Sequence, residues 1–467
     1  MKDLVSQSLA LSLGVSALIT VVCRKLKIPA LLPLLAAGLA LGTSGLEIVD
    51  GSSLGHSLKG FITVAIGLLI FEGALHLNRE DMRRSPRAVW GLLTIGALVT
   101  WGGATLVAWK FLNMSPQVSV LLGACIIVTG PTVVQPLLRI LNLSPRLHVV
   151  LSAEAVLIDP IGVVAAVATL EVLRLHSLLG PGVNIAGQTL WIFLKPLIGG
   201  AGVGIIIGFA GRWLLTVISK AGKPDSQLLN LFAVGVCMIS VGVGEAVTPE
   251  AGLAAVTISG VIMAQASVLG GTVLREFKEL LAIILVGTLF VMLASRFDVA
   301  QLHTFDWREA VYVLILVFAI RPLGVLLSTW GSRLSRRERL FAATFAPRGI
   351  VALSVAAVAS AELHETASGE GLDAVALNAT SWVADIDRLD RIVFIVIVGT
   401  VLLASTISPL IAWLFNVHAG RGNAVLLLGA HPLSVAFARA LGAVGIDVRL
   451  VDSNMIRVAE ANDQKLS

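Results

Sequence analysis

Charge is what this sequence has least of. Only 13% of its 467 residues are Asp, Glu, Lys or Arg, against 56% that are hydrophobic. Soluble domains carry about a quarter charged residues. A soluble fold of this length could bury a large core, but it would not explain apolar runs of about 20 residues repeated along the chain. Cysteine is scarce too: Cys23, Cys125 and Cys237 all lie inside apolar runs. No pair has metal-ligand spacing and no structural disulfide is implied, so they read as small buried residues. None of the eight His shares ligand spacing on a helix face, so no zinc site is expected. The net charge of +5 is not gathered into a basic stripe, which argues against a nucleic-acid partner. The first apolar run, ending at Cys23, lacks a small-residue cleavage site and reads as a first membrane helix rather than a removed leader.

What is abundant fits a membrane. Forty-five glycines and sixteen prolines suit membrane helices, which tolerate both better than soluble ones. Hydropathy predicts an all-α polytopic protein with about thirteen spans between residues 4 and 417. The loops give an independent check. With the N-terminus outside, the predicted inner loops hold eighteen Lys and Arg, among them Arg79, Arg83, Arg84, Arg336 and Arg337. The predicted outer side holds eight, among them Arg308, Arg388 and Arg391. By the positive-inside rule this places the N-terminus outside and the C-terminus in the cytoplasm of a bacterial-type plasma membrane.

After Val417 the pattern changes. A short apolar run from Ala424 to Leu428 leads through Gly429 into a helical pattern, then to a second run ending at Asp452. This reads as the start, over 424–467, of a Rossmann-like α/β unit. Gly429 and Asp452 are its candidate nucleotide contacts.

Two apolar segments are interrupted, one by Thr129-Gly130-Pro131-Thr132 and the other by Ala346-Pro347-Arg348-Gly349. Paired interruptions point to a transporter site, because freed backbone groups must be satisfied inside protein or a wet cavity. The second signal is charge within the spans. Asp159, in LSAEAVLIDPIG, lies about 18 Å from the inner end of its helix at 1.5 Å per residue, near the middle of a hydrocarbon core of about 30 Å. One buried carboxylate can hold a proton or a metal cation, and each expels the other. Alternatively, Asp159 caps backbone disturbed by Pro160. Glu154, about 140° away around the helix, is expected to pair with Arg348, so that neither charge is left alone. Glu72 either joins an ion cavity or snorkels toward Arg79. Arg321, before Pro322, is expected to satisfy carbonyls or the boundary between core and scaffold helices. Gly200, Gly204 and Gly208 predict a close helix contact. Thr248-Pro249-Glu250 reads as a helix start, with Glu245 and Glu250 near the outer mouth.

Five motifs in order resemble the NhaP-like branch of the monovalent cation–proton antiporters. They are Phe71-Glu72-Gly73-Ala74-Leu75, Val128-Thr129-Gly130-Pro131-Thr132, Glu154 with Asp159, Pro249-Glu250-Ala251-Gly252-Leu253 and Ala346-Pro347-Arg348-Gly349. The resemblance spans about residues 5–415. It implies a homodimer of thirteen-helix chains with NhaA-like inverted repeats whose broken helices cross. Core helices would fall at about 88–173 and 307–417, and a dimerisation scaffold at about 4–78 and 186–296. It implies that Asp159 carries the exchanged Na⁺, K⁺ or H⁺. Glu72, Thr129 and Thr132 would contribute to the site, and Glu154 and Arg348 would form an ion pair. The chain departs from the family pattern at Gly130, where Asp is usual, at Ile158, where Asn is usual, and at Ala155, where Ser is frequent. The site therefore holds fewer oxygens than usual. The same pattern resembles members with a cytosolic nucleotide-binding domain of the potassium-transport regulator type, which agrees with residues 424–467.

The reading is thus electroneutral exchange of Na⁺ or K⁺ for H⁺ by an elevator-like movement, with no transport cofactor and a regulatory nucleotide at the C-terminal unit. Two rivals stand beside it. One is a symporter or anion carrier on the same architecture, which would want an uncompensated buried cation. The other is a nucleotide-gated sensor or channel, which should show a filter repeated by symmetry.

Overall fold

The computed structural model describes residues 2–26, 28, 30–43, 45–49, 57–75, 77, 86–179, 186–221, 226–265, 272–297, 306–368, 376–418, 425–429, 431–443 and 448–451. Asp452, the side chain of Thr132 and the loop arginines Arg79, Arg83 and Arg84 lie outside the described residues. Two units are separated at Val417/His418.

The first unit is helical. Its elements are α1 (Lys2–Leu26), α2 (Leu31–Leu41), α3 (Ser57–Leu75), α4 (Pro86–Phe111), α5 (Pro116–Ile126), α6 (Pro131–Leu141), α7 (Pro145–Leu179) and α8 (Ala186–Ala221). They continue with α9 (Ser226–Val247), α10 (Ala251–Met263), α11 (Thr272–Ser295), α12 (Trp307–Ser328), α13 (Arg336–Thr344), α14 (Ile350–Ser368) and α15 (Ala376–Leu414). Among the described residues seven helices are long and apolar enough to cross a membrane, and shorter apolar helices lie between them. With exposed apolar side chains such as Leu18, Ile206, Trp213 and Leu231 on their outer faces, these make a polytopic α-helical membrane protein.

Both expected interruptions are real. Proline starts each half of the first one: Pro116 opens α5 after Ser115, and Pro131 opens α6 after Gly130. Proline at a first turn loses no hydrogen bond and presets φ. In the second, Ser335 and Glu338 form a reciprocal capping box at the start of α13, and residues 345–349 separate it from α14. α4 and α12 each contain one π turn, at Leu92–Gly96 and Leu316–Ile320. They pack antiparallel through small residues: Gly91 meets the Ser328 carbonyl, Gly103 meets Ile320, and the Tyr312 hydroxyl donates to the Ala104 carbonyl at 3.2 Å.

The two interrupted regions are tied by reciprocal polar contacts. At one end, the Asp385 carboxylate of α15 accepts from the Ser115 amide at the start of α5, at 2.8 Å. At the other, the Ser144 hydroxyl ahead of α7 donates to Glu338 at the start of α13, at 2.6 Å. Each contact joins the first half of one broken helix to the helix that comes after the other, or to the residue just ahead of it.

The remaining helices close against one another and against α7 and α14. Gly200, Gly204 and Gly208 of α8 lie on the backbone of α10, where a Cβ at Gly204 would reach the Ala255 carbonyl at 2.5 Å. The expected close contact is therefore made within the chain. The three cysteines are free and buried.

One boundary differs from the sequence reading. Arg388 and Arg391, expected in an outer loop, lie inside α15. Arg391 pairs with buried Glu309 at 2.8 Å, and Arg388 with Asp385 at 3.3 Å. The charges of Asp385-Ile-Asp-Arg-Leu-Asp-Arg lower the local hydropathy, but in the fold Asp385, Arg388 and Arg391 find partners and the helix runs through them.

The second unit, described by itself, contains β1 (Val425–Leu428), α16 (Pro432–Ala443) and β2 (Val448–Val451). The strands are parallel, with Val425 opposite Val448 and Leu428 opposite Val451. Gly429 takes φ +92°, a backbone glycine adopts without strain, and donates its amide to the Val451 carbonyl at 2.8 Å.

Candidate functional site

Asp159 is fully buried in α7, and neither carboxylate oxygen accepts a hydrogen bond. Capping of backbone near Pro160 would have used those oxygens, so that alternative does not hold. A buried polar group without a partner costs about 1–3 kcal/mol, and more if charged. Such groups are rare enough to call for an explanation.

The first break lies beside it. A Cβ at Gly162 would collide with Val128, so the chain between α5 and α6 crosses α7 at Gly162. Asp159 and Gly162 are three residues apart and share a helix face. Thr129, in that crossing segment, is also buried, and its hydroxyl has no partner. Thr132 comes next in the first turn of α6. Glu72 is half-buried in the last part of α3. Its neighbour Gly73 abuts Val156, where a Cβ would come within 2.7 Å of the valine side chain. Glu72 therefore lies at the level of Val156, about one turn from Asp159 along α7.

The expected Glu154–Arg348 ion pair is not formed. Glu154 is held by Arg321 through both guanidinium Nη atoms, Nη1 to Oε1 and Nη2 to Oε2 at 2.8 Å. The reason lies in the helix that carries Arg321. Its π turn, Leu316–Ile320, ends directly before Arg321. A π turn adds one residue to the helix and rotates the next turns by about 100°. Arg321 is the first residue after that turn, and its fork meets the face of α7 that bears Glu154. Nε of Arg321 also donates to the Ala342 carbonyl at 3.3 Å, so the expected carbonyl contact is present as well.

Arg348 instead spans the two breaks. Its Nη1 donates to the Ile127 carbonyl at 3.0 Å, and its backbone amide donates to the Thr400 hydroxyl at 3.1 Å. The carbonyl ends of both first half-helices thus meet an arginine, α5 through Arg348 and α13 through Arg321. A cation at a helix C-terminus opposes the dipole and satisfies orphan carbonyls where water is excluded. Sequence reasoning saw Arg321 as an intramembrane charge but missed its carboxylate partner. It also missed Thr400 and the Glu309–Arg391 pair.

A polytopic helical bundle with two broken helices and a buried carboxylate without a hydrogen bond is the arrangement of a membrane transporter. Comparison with known proteins narrows the class. Residues 12–438 match the family described as sodium/hydrogen exchanger, transmembrane. The chain is 24% identical over 435 residues to Na(+)/H(+) antiporter 1 of Methanocaldococcus jannaschii, covering 91% of this chain and 96% of that one. It is 25% identical over 347 residues to the K(+)/H(+) antiporter NhaP of Alkalimonas amylolytica, covering 73% of this chain and 58% of the relative. The fold is similar to the solved structure of the sodium proton antiporter MjNhaP1 from Methanocaldococcus jannaschii at pH 8. That match has a TM-score of 0.72 at 24% identity, over 87% of this chain and 97% of the other. The chain belongs to the sodium/hydrogen exchanger family, whose members are transporters and not enzymes.

Proposed function

We propose that this protein exchanges Na⁺ or K⁺ for H⁺ at Asp159. The observation that carries the reading is a fully buried carboxylate with no protein hydrogen bond, set against a helix break that presents an unpartnered hydroxyl. A proton or a dehydrated cation each completes such a group, and the two cannot do so together. Thr129, Thr132, Glu72, freed backbone carbonyls and water supply the remaining oxygens, as hard monovalent cations require.

The ion pairs support one charge moved per ion. Glu154 is neutralised by Arg321, so Asp159 is the group left to alternate between proton and cation. Glu154, Asp159, Arg321 and Arg348, the ionisable groups buried around the two breaks, are two acids and two bases. No excess positive charge remains to favour an anion when Asp159 is ionised. Exchange is then electroneutral, by movement of α4–α7 and α12–α15 along the seam that α7 and α14 make with α3 and α10.

Taking each broken pair as one span gives thirteen spans, with the N-terminus outside. The family resemblance implies a homodimer in a plasma membrane. The parallel β–α–β unit, with Gly429 at the turn after its first strand, supports a regulatory nucleotide bound beyond Val417.

The test is proton flux in proteoliposomes after addition of Na⁺ or K⁺, for the intact chain and for Asp159→Asn. Flux abolished by the substitution identifies the carrier and names the ion. Undiminished flux moves the chemistry to Glu72 or Glu154. A membrane potential generated by exchange at saturating gradients overturns electroneutrality.

A further inference from the structure

Thr400 is buried in α15, with 2% of its surface exposed. Its hydroxyl donates to the Ile397 carbonyl of the same helix at 3.2 Å. That bond uses the hydroxyl proton and leaves the oxygen lone pairs for another donor. The donor is the backbone amide of Arg348 in the second break, at 3.1 Å. The ordinary use of a helical threonine is seen at Thr406 of the same helix, whose exposed hydroxyl donates to the Leu402 carbonyl at 2.7 Å.

The amide that Thr400 holds belongs to the residue that joins the two breaks. Nη1 of Arg348 donates at 3.0 Å to the Ile127 carbonyl at the end of α5. From Ile127 the chain continues through Val128, which packs on Gly162 of α7, to Thr129, whose buried hydroxyl has no partner. A buried amide needs an acceptor in any case. This acceptor also fixes the point from which the Arg348 side chain reaches the first break.

The register of Thr400 repeats that of Asp159. Ser144 and Asp385 each make a contact at the start of a broken helix, and Asp159 and Thr400 each follow fifteen residues later. Arg348 stands two residues before Ile350, where α14 begins, and Thr129 two before Pro131, where α6 begins. By position, Thr400 stands to the second break as Asp159 stands to the first. The hydroxyl has its bonds made, whereas the carboxylate oxygens accept none.

We infer that Thr400 is a positioning residue for cation binding: by holding the Arg348 amide it sets the guanidinium on the Ile127 carbonyl, and so the placement of Thr129 beside Asp159. This rests on the reading of Asp159 as the exchange site. Groups that bind an ion must be held to a fraction of an ångström, and the bonds that hold them lie outside the site.

The experiment uses the full chain in proteoliposomes, with proton flux followed as Na⁺ or K⁺ is titrated and melting temperature measured on the same variants. Thr400→Val keeps the volume and removes the acceptor. KM for the cation is expected to rise about tenfold, the worth of roughly one hydrogen bond, with turnover at saturating cation within about twofold. Thr400→Ser, which keeps the hydroxyl, should restore KM, and Thr406→Val should match the unaltered chain. If Thr400→Val yields no folded protein, Thr400→Cys decides, because a thiol is a weaker acceptor: a raised KM supports the inference and an unmoved one overturns it. A fall in melting temperature or turnover with KM unmoved also overturns it, as does a serine variant that behaves like the valine one. Absence of cation-driven flux in the unaltered chain sinks the exchange reading and this inference with it. An exchanging parent whose KM is unmoved by Thr400→Val sinks this inference alone.

Discussion

The two helix breaks share a backbone plan and divide the chemistry. The first, between α5 and α6, has no charged side chain; it offers Thr129, whose buried hydroxyl has no partner, and it lies across α7 next to Asp159. The second, between α13 and α14, carries Arg348, which closes the carbonyl end of the first break. Arg321 closes the carbonyl end of the second and holds Glu154. One break keeps an unsatisfied hydroxyl beside Asp159, and the other supplies the arginine that closes its carbonyl end.

The sharpest test of this division is Asp159→Asn. It should reduce cation-linked proton flux by more than about a hundredfold while leaving thermal stability in detergent equal or higher, because an unpartnered buried carboxylate costs stability. A large loss of stability would mean that Asp159 belongs to the structural half. Next is Arg321→Ala, which leaves Glu154 buried and unpaired and should cost about 3–5 kcal/mol, seen as a fall in melting temperature. The double variant Glu154→Gln with Arg321→Gln should regain much of that. If Arg348→Ala costs more than Arg321→Ala, the Glu154–Arg321 pairing is not the one that stabilises the protein.

Arg348→Ala itself should cost about 1–3 kcal/mol, for a lost charged hydrogen bond and an exposed carbonyl end. Thr129→Val keeps the volume and removes only the hydroxyl. Stability should change by less than about 0.5 kcal/mol, because no protein bond is lost, while the KM for cation rises several-fold. A stability loss of about 1 kcal/mol or more would show that the hydroxyl is structural. The smallest effects belong to the reciprocal ties at the two ends. Ser144→Ala should cost about 1 kcal/mol, and Asp385→Asn a similar amount or slightly more. Similar losses at both ends would support the repeat, and a large difference would break its symmetry.

The residues explain why some of this was legible beforehand and some was not. Pro116, Pro131 and the Ala346-Pro347-Arg348-Gly349 run disrupt helix by local rules, so both breaks could be read from neighbours in sequence. Asp159 stood out because a carboxylate in an apolar run is costly wherever the helix packs. Glu154 was different. Arg321 and Arg348 are both intramembrane cations, far away in sequence, and either could have neutralised it. The choice depends on how α12 and the second break pack against α7, which hydropathy does not reveal. Arg388 and Arg391 look like loop charges until Asp385 and Glu309 are brought beside them.

The sequence by itself determined the membrane class, the two interruptions, the buried position of Asp159 and the strand–helix–strand order after Val417. Each of these comes from the solvation of a single segment or from the backbone limits of proline and glycine. Only the tertiary structure decided which arginine answers which acid or carbonyl end. Those choices depend on contacts between different helices, 167 positions apart for Arg321 and Glu154 and 221 for Arg348 and Ile127, and segment-by-segment solvation does not specify them.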